Sequence, residues 1–153
     1  MLLALVVWLG GLIFFAFVVA PTAFSPGLLP SRDLAGAVIG RSLGALHWMG
    51  LISGAVFLIS STLYIRLSRG NANPMAARNL LIFLMLLLTA ISQFAITPRM
   101  HAIRLEAGPI DSLSSDNASR AEFDRLHLWS ERFEEGVFLF GLLALYTTAR
   151  ELH

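Results

Sequence analysis

Residues 1–20 carry no charged side chain, and about 20 apolar residues suffice to carry a helix across a hydrocarbon core of roughly 30 Å. The pattern predicts a first membrane span there. A cleaved signal peptide is the competing reading, and the stretch does not fit one. It lacks a basic n-region, its apolar run is too long, and Pro21 follows Ala20 where cleavage would fall. Further apolar stretches predict a second span over about 43–66, free of formal charge before Arg66 apart from a possible proton on His47, and a third over about 79–97, bounded by Arg78 and by Pro98-Arg99.

The fourth stretch is different. Its uncharged part, Gly136–Ala149, has 14 residues, or about 21 Å at the helical rise of 1.5 Å per residue. That is too short to span. A fourth span over about 126–149 must therefore take part of Leu126–Glu135 into the membrane, or the bilayer must thin around it; the first is the favoured expectation, with the carboxylates turned towards protein. The fold class expected is all-α, an integral membrane four-helix bundle, with residues 1–153 forming a single transmembrane domain.

The connections read as a medium loop over Pro21–Ser42, a short turn over Leu67–Ala77, and a long extramembrane loop over about 98–124. Gly70, Asn71, Asn73 and Pro74 supply the turn chemistry of the second. Ser119 followed by Glu122 reads as a capping box opening the last helix. No internal repeat is visible.

Composition agrees with a lipid solvent. Hydrophobic residues make up 56% of the chain and charged residues 14%, with a mean hydropathy of +0.72, where soluble domains run near about 25% charged. All eleven cationic side chains are Arg, and the net charge of +1 gives no nucleic-acid signature. With no Cys, disulfides and thiolate chemistry are excluded. Arg66, Arg69 and Arg78 sit around the short second connection without an acid, which argues that it is cytoplasmic. The Arg content of the other two connections pulls the opposite way. On balance both termini are expected in the cytoplasm, of a bacterial inner membrane.

The polar residues inside the spans fall on shared faces. His47, Gly54 and Ser61 recur every seven residues, and Gly50 with Gly54 adds a small-xxx-small step suited to close helix approach. Thr89, Ser92, Gln93 and Thr97 share a face of the third span, and His127, Ser130, Glu131 and Glu134 a face of the fourth. His47, Gln93, His127 and Glu134 all fall near the leaflet shared by the first and third connections, with Arg41, Arg99 and His101 at its mouth. Ionisable groups at membrane depth cost about 2.5–3.5 kcal/mol each on insertion scales and mark functional sites by default. The core of a candidate site is therefore His47, His127 and Glu134, supported by Arg41, Gln93, Arg99 and Ser130. Each also has a plainer reading, as a hydrogen bond between helices, an interfacial charge or a structural ion pair.

Short motifs follow one another in a familiar order. They are Trp8-x-Gly10-Gly11-x-x-Phe14-Phe15 with Pro21-x-x-Phe24, Leu46-His47-Trp48-Met49-Gly50, Thr97-Pro98-Arg99, and Leu126-His127-x-x-Ser130. In this order the chain resembles the transmembrane protein 205-like family of four-span membrane proteins. The family is largely uncharacterised, and a eukaryotic member is linked to cisplatin resistance, so the resemblance implies handling of metal compounds without specifying it. His47, Pro98, Arg99, His127 and Ser130 match positions typical of that family. Glu134 departs from it, since an amide is expected there, and Ser92 stands where Asn is expected. The opening motif is also locally similar to bacterial copper-resistance membrane domains.

Three functions suit these residues. The first is an accessory or structural subunit of a larger membrane complex or homo-oligomer, its polar cluster fixing helix register amid membrane lipid. The second is a metal-binding or metal-transporting bundle, with His47, His127 and Glu134 as ligands to a metal ion. The third is a proton-coupled carrier of small solutes, relaying through Glu134 and His127. Haem between His47 and His127 ranks lower. No enzymatic activity is expected, since no oxyanion or metal motif backs Ser130 and His127.

Overall fold

The computed structural model describes residues 1–67 and 77–150. The chain forms the expected helical bundle, with no strand among the described residues. Helix α1 covers Leu2–Ala23, α2 Arg32–Leu67 and α3 Ala77–Ala107; after a 3₁₀ turn at Ile110–Ser112, α4 covers Ala118–Arg150. Each helix packs on the next and α4 packs back on α1, which closes a ring of four antiparallel neighbours. Helices α1, α2 and α3 are long and apolar enough to cross a membrane. The last helix completes the ring, burying Val137, Gly141, Ala144 and Thr148 while exposing Leu139, Leu142, Leu143 and Tyr146 outwards. The turn residues Arg69, Gly70, Asn71, Asn73 and Pro74 lie outside the described residues.

Two of the connections are shorter than the sequence pattern implies, because the helices themselves run on through the polar stretches. With 36 residues α2 is about 54 Å long, and the 33 residues of α4 give about 50 Å. A hydrocarbon core takes roughly 30 Å of that. The first loop shrinks to residues 24–31, and most of the stretch 98–124 is helix rather than loop. The projecting ends of α3 and α4, with the 3₁₀ turn between them, bury a small apolar cluster of Ile103, Ile110 and Phe123. The Arg104 guanidinium lies 5.0 Å from the Phe123 ring centroid. Polarity in this stretch solvates outer helix faces, which a hydropathy profile cannot distinguish from a loop. The capping-box reading is also corrected. Asn117 caps α4, its Oδ1 accepting from the backbone N–H of Ser119 at 2.9 Å and Arg120 at 3.3 Å, while Glu122 binds Arg99 instead.

Proline shapes α1 and α3 alike. Each contains one π turn, Phe15–Val19 and Ser92–Ile96, and each turn begins six residues before a proline, Pro21 or Pro98. A helix-interior proline lacks an N–H and clashes with the carbonyl four residues back. Widening the preceding turn relieves that clash without breaking the helix.

The packing of α2 on α3 follows a ladder with a step of seven. Ser61 meets Asn79, Gly54 meets Leu86, and His47 meets Gln93. Equal steps on both helices keep one seam in contact throughout, as in coiled coils. Glycines on this seam and its neighbour receive large side chains. The Trp8 indole, 2% exposed, lies across Gly50 and Gly54, and Leu9 packs onto Gly141. Gly11 faces Leu46 and Met49, whereas Gly10 faces nothing within 4 Å.

A methyl group added at Gly50 would stand 2.5 Å from Trp8 Nε1, and one at Gly54 2.6 Å from Leu86 Cδ2. The Trp8 ring has little freedom to withdraw. Gly50→Ala and Gly54→Ala should each destabilise the bundle by about 1–3 kcal/mol through overpacking, while Gly10→Ala should be neutral. Thermal denaturation in mild detergent checks this; equal midpoints for all three variants would sink the groove argument.

Candidate functional site

The seven-residue face of α2 turns His47 fully inward, to 2% exposure. Its Nδ1 lies 3.0 Å from Gln93 Oε1 on α3, and its Nε2 lies 2.6 Å from Glu134 Oε1 on α4. One imidazole thus joins three helices. With the Glu134 carboxylate ionised, Nε2–H donates to it. A ring protonated on both nitrogens donates to Gln93 as well; a ring protonated on Nε2 alone accepts from the Gln93 amide turned over. Either way both ring nitrogens are satisfied, which is what a buried polar group in the absence of water requires.

Aromatic residues mark the depth of this layer. Trp48 follows His47 and Phe94 follows Gln93; the two rings meet edge-on at 5.8 Å on the outer surface. Phe133 precedes Glu134 and packs against Trp129 at 5.8 Å. Trp48, Phe94 and Trp129 are all exposed, as expected of a belt at the level of the headgroups. The polar layer therefore sits just inside one interface, at the end carrying the first loop and the projecting helix ends.

The predicted site divides. His47, Gln93 and Glu134 come together. His127 lies on the same line of α4 as Glu134, but that line opens towards the helix start: Thr148 is 1% exposed, the Glu134 side chain 21% and the His127 side chain 55%. His127 stacks on Phe123 and lies 3.3 Å from Glu131, four residues on, so it is no neighbour of His47 in this layer. Ser130 is buried, and Arg41 is exposed. Arg99 is exposed and forms a two-pronged bond with Glu122, at 2.7 and 2.9 Å. The structure thus assembles a His–Glu–amide set without a third metal ligand. No group of three or more His, Asp or Glu suited to a metal ion occurs among the described residues. A metal at Nε2 would also have to open the bond to Glu134.

A second polar layer lies near the opposite end. Ser61 Oγ donates to Asn79 Oδ1 at 2.8 Å, with Arg78 and Thr148 buried at the same end of the bundle. Between the two layers stand Phe57, Ile82, Met85, Val137 and Ala144, each exposed by 1% or less. This apolar seal was not legible as such in the sequence, where every span is apolar.

The hydrogen bond from Arg99 holds the Glu122 carboxyl below its ordinary value. A lowered carboxyl stabilises the fold above its usual range and loses that contribution as pH falls through the folded value. Both side chains are exposed, so the contribution is small. Arg99→Ala should raise the Glu122 pKa towards normal, as NMR titration would record; an unchanged value would mean that the bond is not held in solution. The buried bond should matter more. In a double-mutant cycle, His47→Ala and Glu134→Ala should couple by about 1–2 kcal/mol, towards the upper end for interhelical bonds in membranes. Additive losses would show that the two side chains act separately.

Residues 3–109 match the model of a domain of unknown function, DUF4149. No curated protein and no solved structure matches the chain. The matched segment takes in α1, α2 and α3 with His47 and Gln93, and ends before α4 and Glu134. On the strength of that match, which spans well over half its length, this small helical membrane protein belongs to the DUF4149 family.

Proposed function

We propose that the chain is a non-catalytic accessory or structural subunit of a multi-pass membrane assembly, and that the Gln93–His47–Glu134 chain is its register clamp. The observation that carries this is the pairing of a closed polar layer with an apolar seal beneath it. Both His47 nitrogens are engaged by neighbouring helices, and Phe57, Ile82 and Met85 close the interior below. Such a layer suits holding helices better than passing a solute between them. The resemblance to the transmembrane protein 205-like family belongs to the same reading. Most of its motifs lie within the matched residues 3–109, and Leu126-His127-x-x-Ser130 lies beyond them. A bacterial inner membrane is the proposed location.

The second reading is proton-coupled transport, favoured by one feature: the Glu134 side chain is 21% exposed while hydrogen-bonded to a buried imidazole. Metal handling has less support, because His127 stands apart from the His47–Glu134 pair.

One substitution separates the first two readings. Glu134→Gln keeps a hydrogen-bonding side chain but removes the carboxylate. A register clamp tolerates it, so the variant should fold and co-migrate on native gels with the same stoichiometric larger assembly as the wild type, whereas Glu134→Ala should lose it. A wild-type chain that runs alone from native membranes in mild detergent would overturn the subunit reading. Proton-driven flux abolished by Glu134→Gln would establish the carrier.

A further inference from the structure

Buried Ser and Thr hydroxyls in helices commonly settle on the carbonyl four residues back, and several in this chain do. Thr148 Oγ1, 1% exposed, donates to Ala144 O at 2.6 Å; Thr62 donates to Leu58 O at 2.8 Å and Thr147 to Leu143 O at 2.9 Å. Thr89 and Ser92 behave otherwise. They are 2% and 0% exposed, and neither hydroxyl has a hydrogen-bond partner among the described residues. Both belong to the inward face of α3, on the turn that carries Gln93.

Two more features point to the same place. Met85 meets Gly141 and Leu88 meets Gly136 across the antiparallel contact of α3 with α4. Continued by one turn, this register brings Ser92 opposite residues 130–134, which carry Ser130 and Glu134. The π turn contributes the other feature. Thr97 N–H bonds Ser92 O, and Pro98 has no N–H, so the Gln93 carbonyl has no donor of its own four or five residues on. Unsatisfied polar groups are costly in an apolar medium, and the two hydroxyls with the carbonyl of Gln93 form an acceptor-rich strip within little more than one turn.

We propose that Thr89, Ser92 and the Gln93 carbonyl form a hydration site, which holds ordered water on the inward face of α3 beside the His47–Glu134 pair. Buried waters typically make about three hydrogen bonds to otherwise unsatisfied groups. Here two hydroxyls donate or accept and the carbonyl accepts. Met85 and Ile82, both 0% exposed, close the site below, and Glu134 of the facing helix, its side chain 21% exposed, lies beside it. The inference is independent of the subunit reading, since a clamp and a carrier would hydrate these groups alike.

The test is water-edited solid-state NMR on the full chain in lipid bilayers, with Thr148 as the internal dry control. Rapid polarisation transfer from water should reach the Thr89 and Ser92 side chains and the Gln93 amide, and should be several-fold slower at Thr148. Thr89 and Ser92 as dry as Thr148, their hydroxyls turned onto the Met85 and Leu88 carbonyls, would overturn the proposal. The Thr89→Val/Ser92→Ala variant adds an independent arm. Loss of the transfer at Gln93 supports the site, and its persistence would place the water elsewhere and refute it. The wild-type comparison stands even if that variant fails to fold.

Discussion

The contact between His47 Nε2 and Glu134 Oε1, at 2.6 Å, is the interaction on which the arrangement of the other helices turns. An ionisable side chain carried into a membrane has few acceptable surroundings. Here α4 has a charge-free stretch of only 14 residues and packs along α3 and α1, which places Glu134 level with His47 inside the bundle. The carboxylate must then find a donor inside the protein, and α2 supplies one from the face that also carries Gly54 and Ser61. Once Nε2 is committed, Nδ1 needs its own partner, and Gln93 provides it from α3. A single imidazole thereby sets the relative height of three helices. A slip of one turn along any of them would leave at least two polar groups without partners in an apolar medium.

The prolines belong to the same construction. Pro98 lies only five residues after Gln93, inside a continuous helix, and the π turn at Ser92–Ile96 absorbs the lost hydrogen bond. A widened turn changes the angular position of everything after it, so the face of α3 that meets His47 need not be the face that meets Phe123 and Gly36 further on. Arg104, packed between those two residues, shows that the helix still finds its neighbours beyond the turn. The same device at Phe15–Val19 lets α1 run on to Ala23 despite Pro21.

Much of this was readable from the sequence, for definite reasons. Seven-residue spacing of His47, Gly54 and Ser61 determines a common face whatever the neighbours, and burial of all three follows. The length deficit of α4 pointed its carboxylates inwards, and of the three only Glu134 turns in; Glu131 and Glu135 stay exposed. What failed did so because helical spacing gives direction and not surroundings. His127 lies seven residues from Glu134 and points the same way, yet at its height the α4 line has opened to solvent. Polar residues over 98–124 read as loop because a hydropathy profile reports the solvent and not the backbone. Ser119 and Asn117 are both good N-caps by type, and only the position of the first helical turn decides between them.

The two polar layers and the apolar seal between them constrain function more than either layer alone. A carrier needs polar groups that exchange partners between two open states, and an apolar barrier that moves. In this bundle the barrier residues Ile82, Met85 and Val137 are completely buried, and Leu9 and Met85 pack against Gly141 at the same level. Close-packed interiors resist small displacements and favour discrete rearrangements. Opening this seal would therefore mean separating α1 and α3 from α4 along several turns. A subunit that needs only to present a fixed surface faces no such requirement. On the proposed subunit reading, the close packing that opposes transport is the same packing that keeps the helices in register.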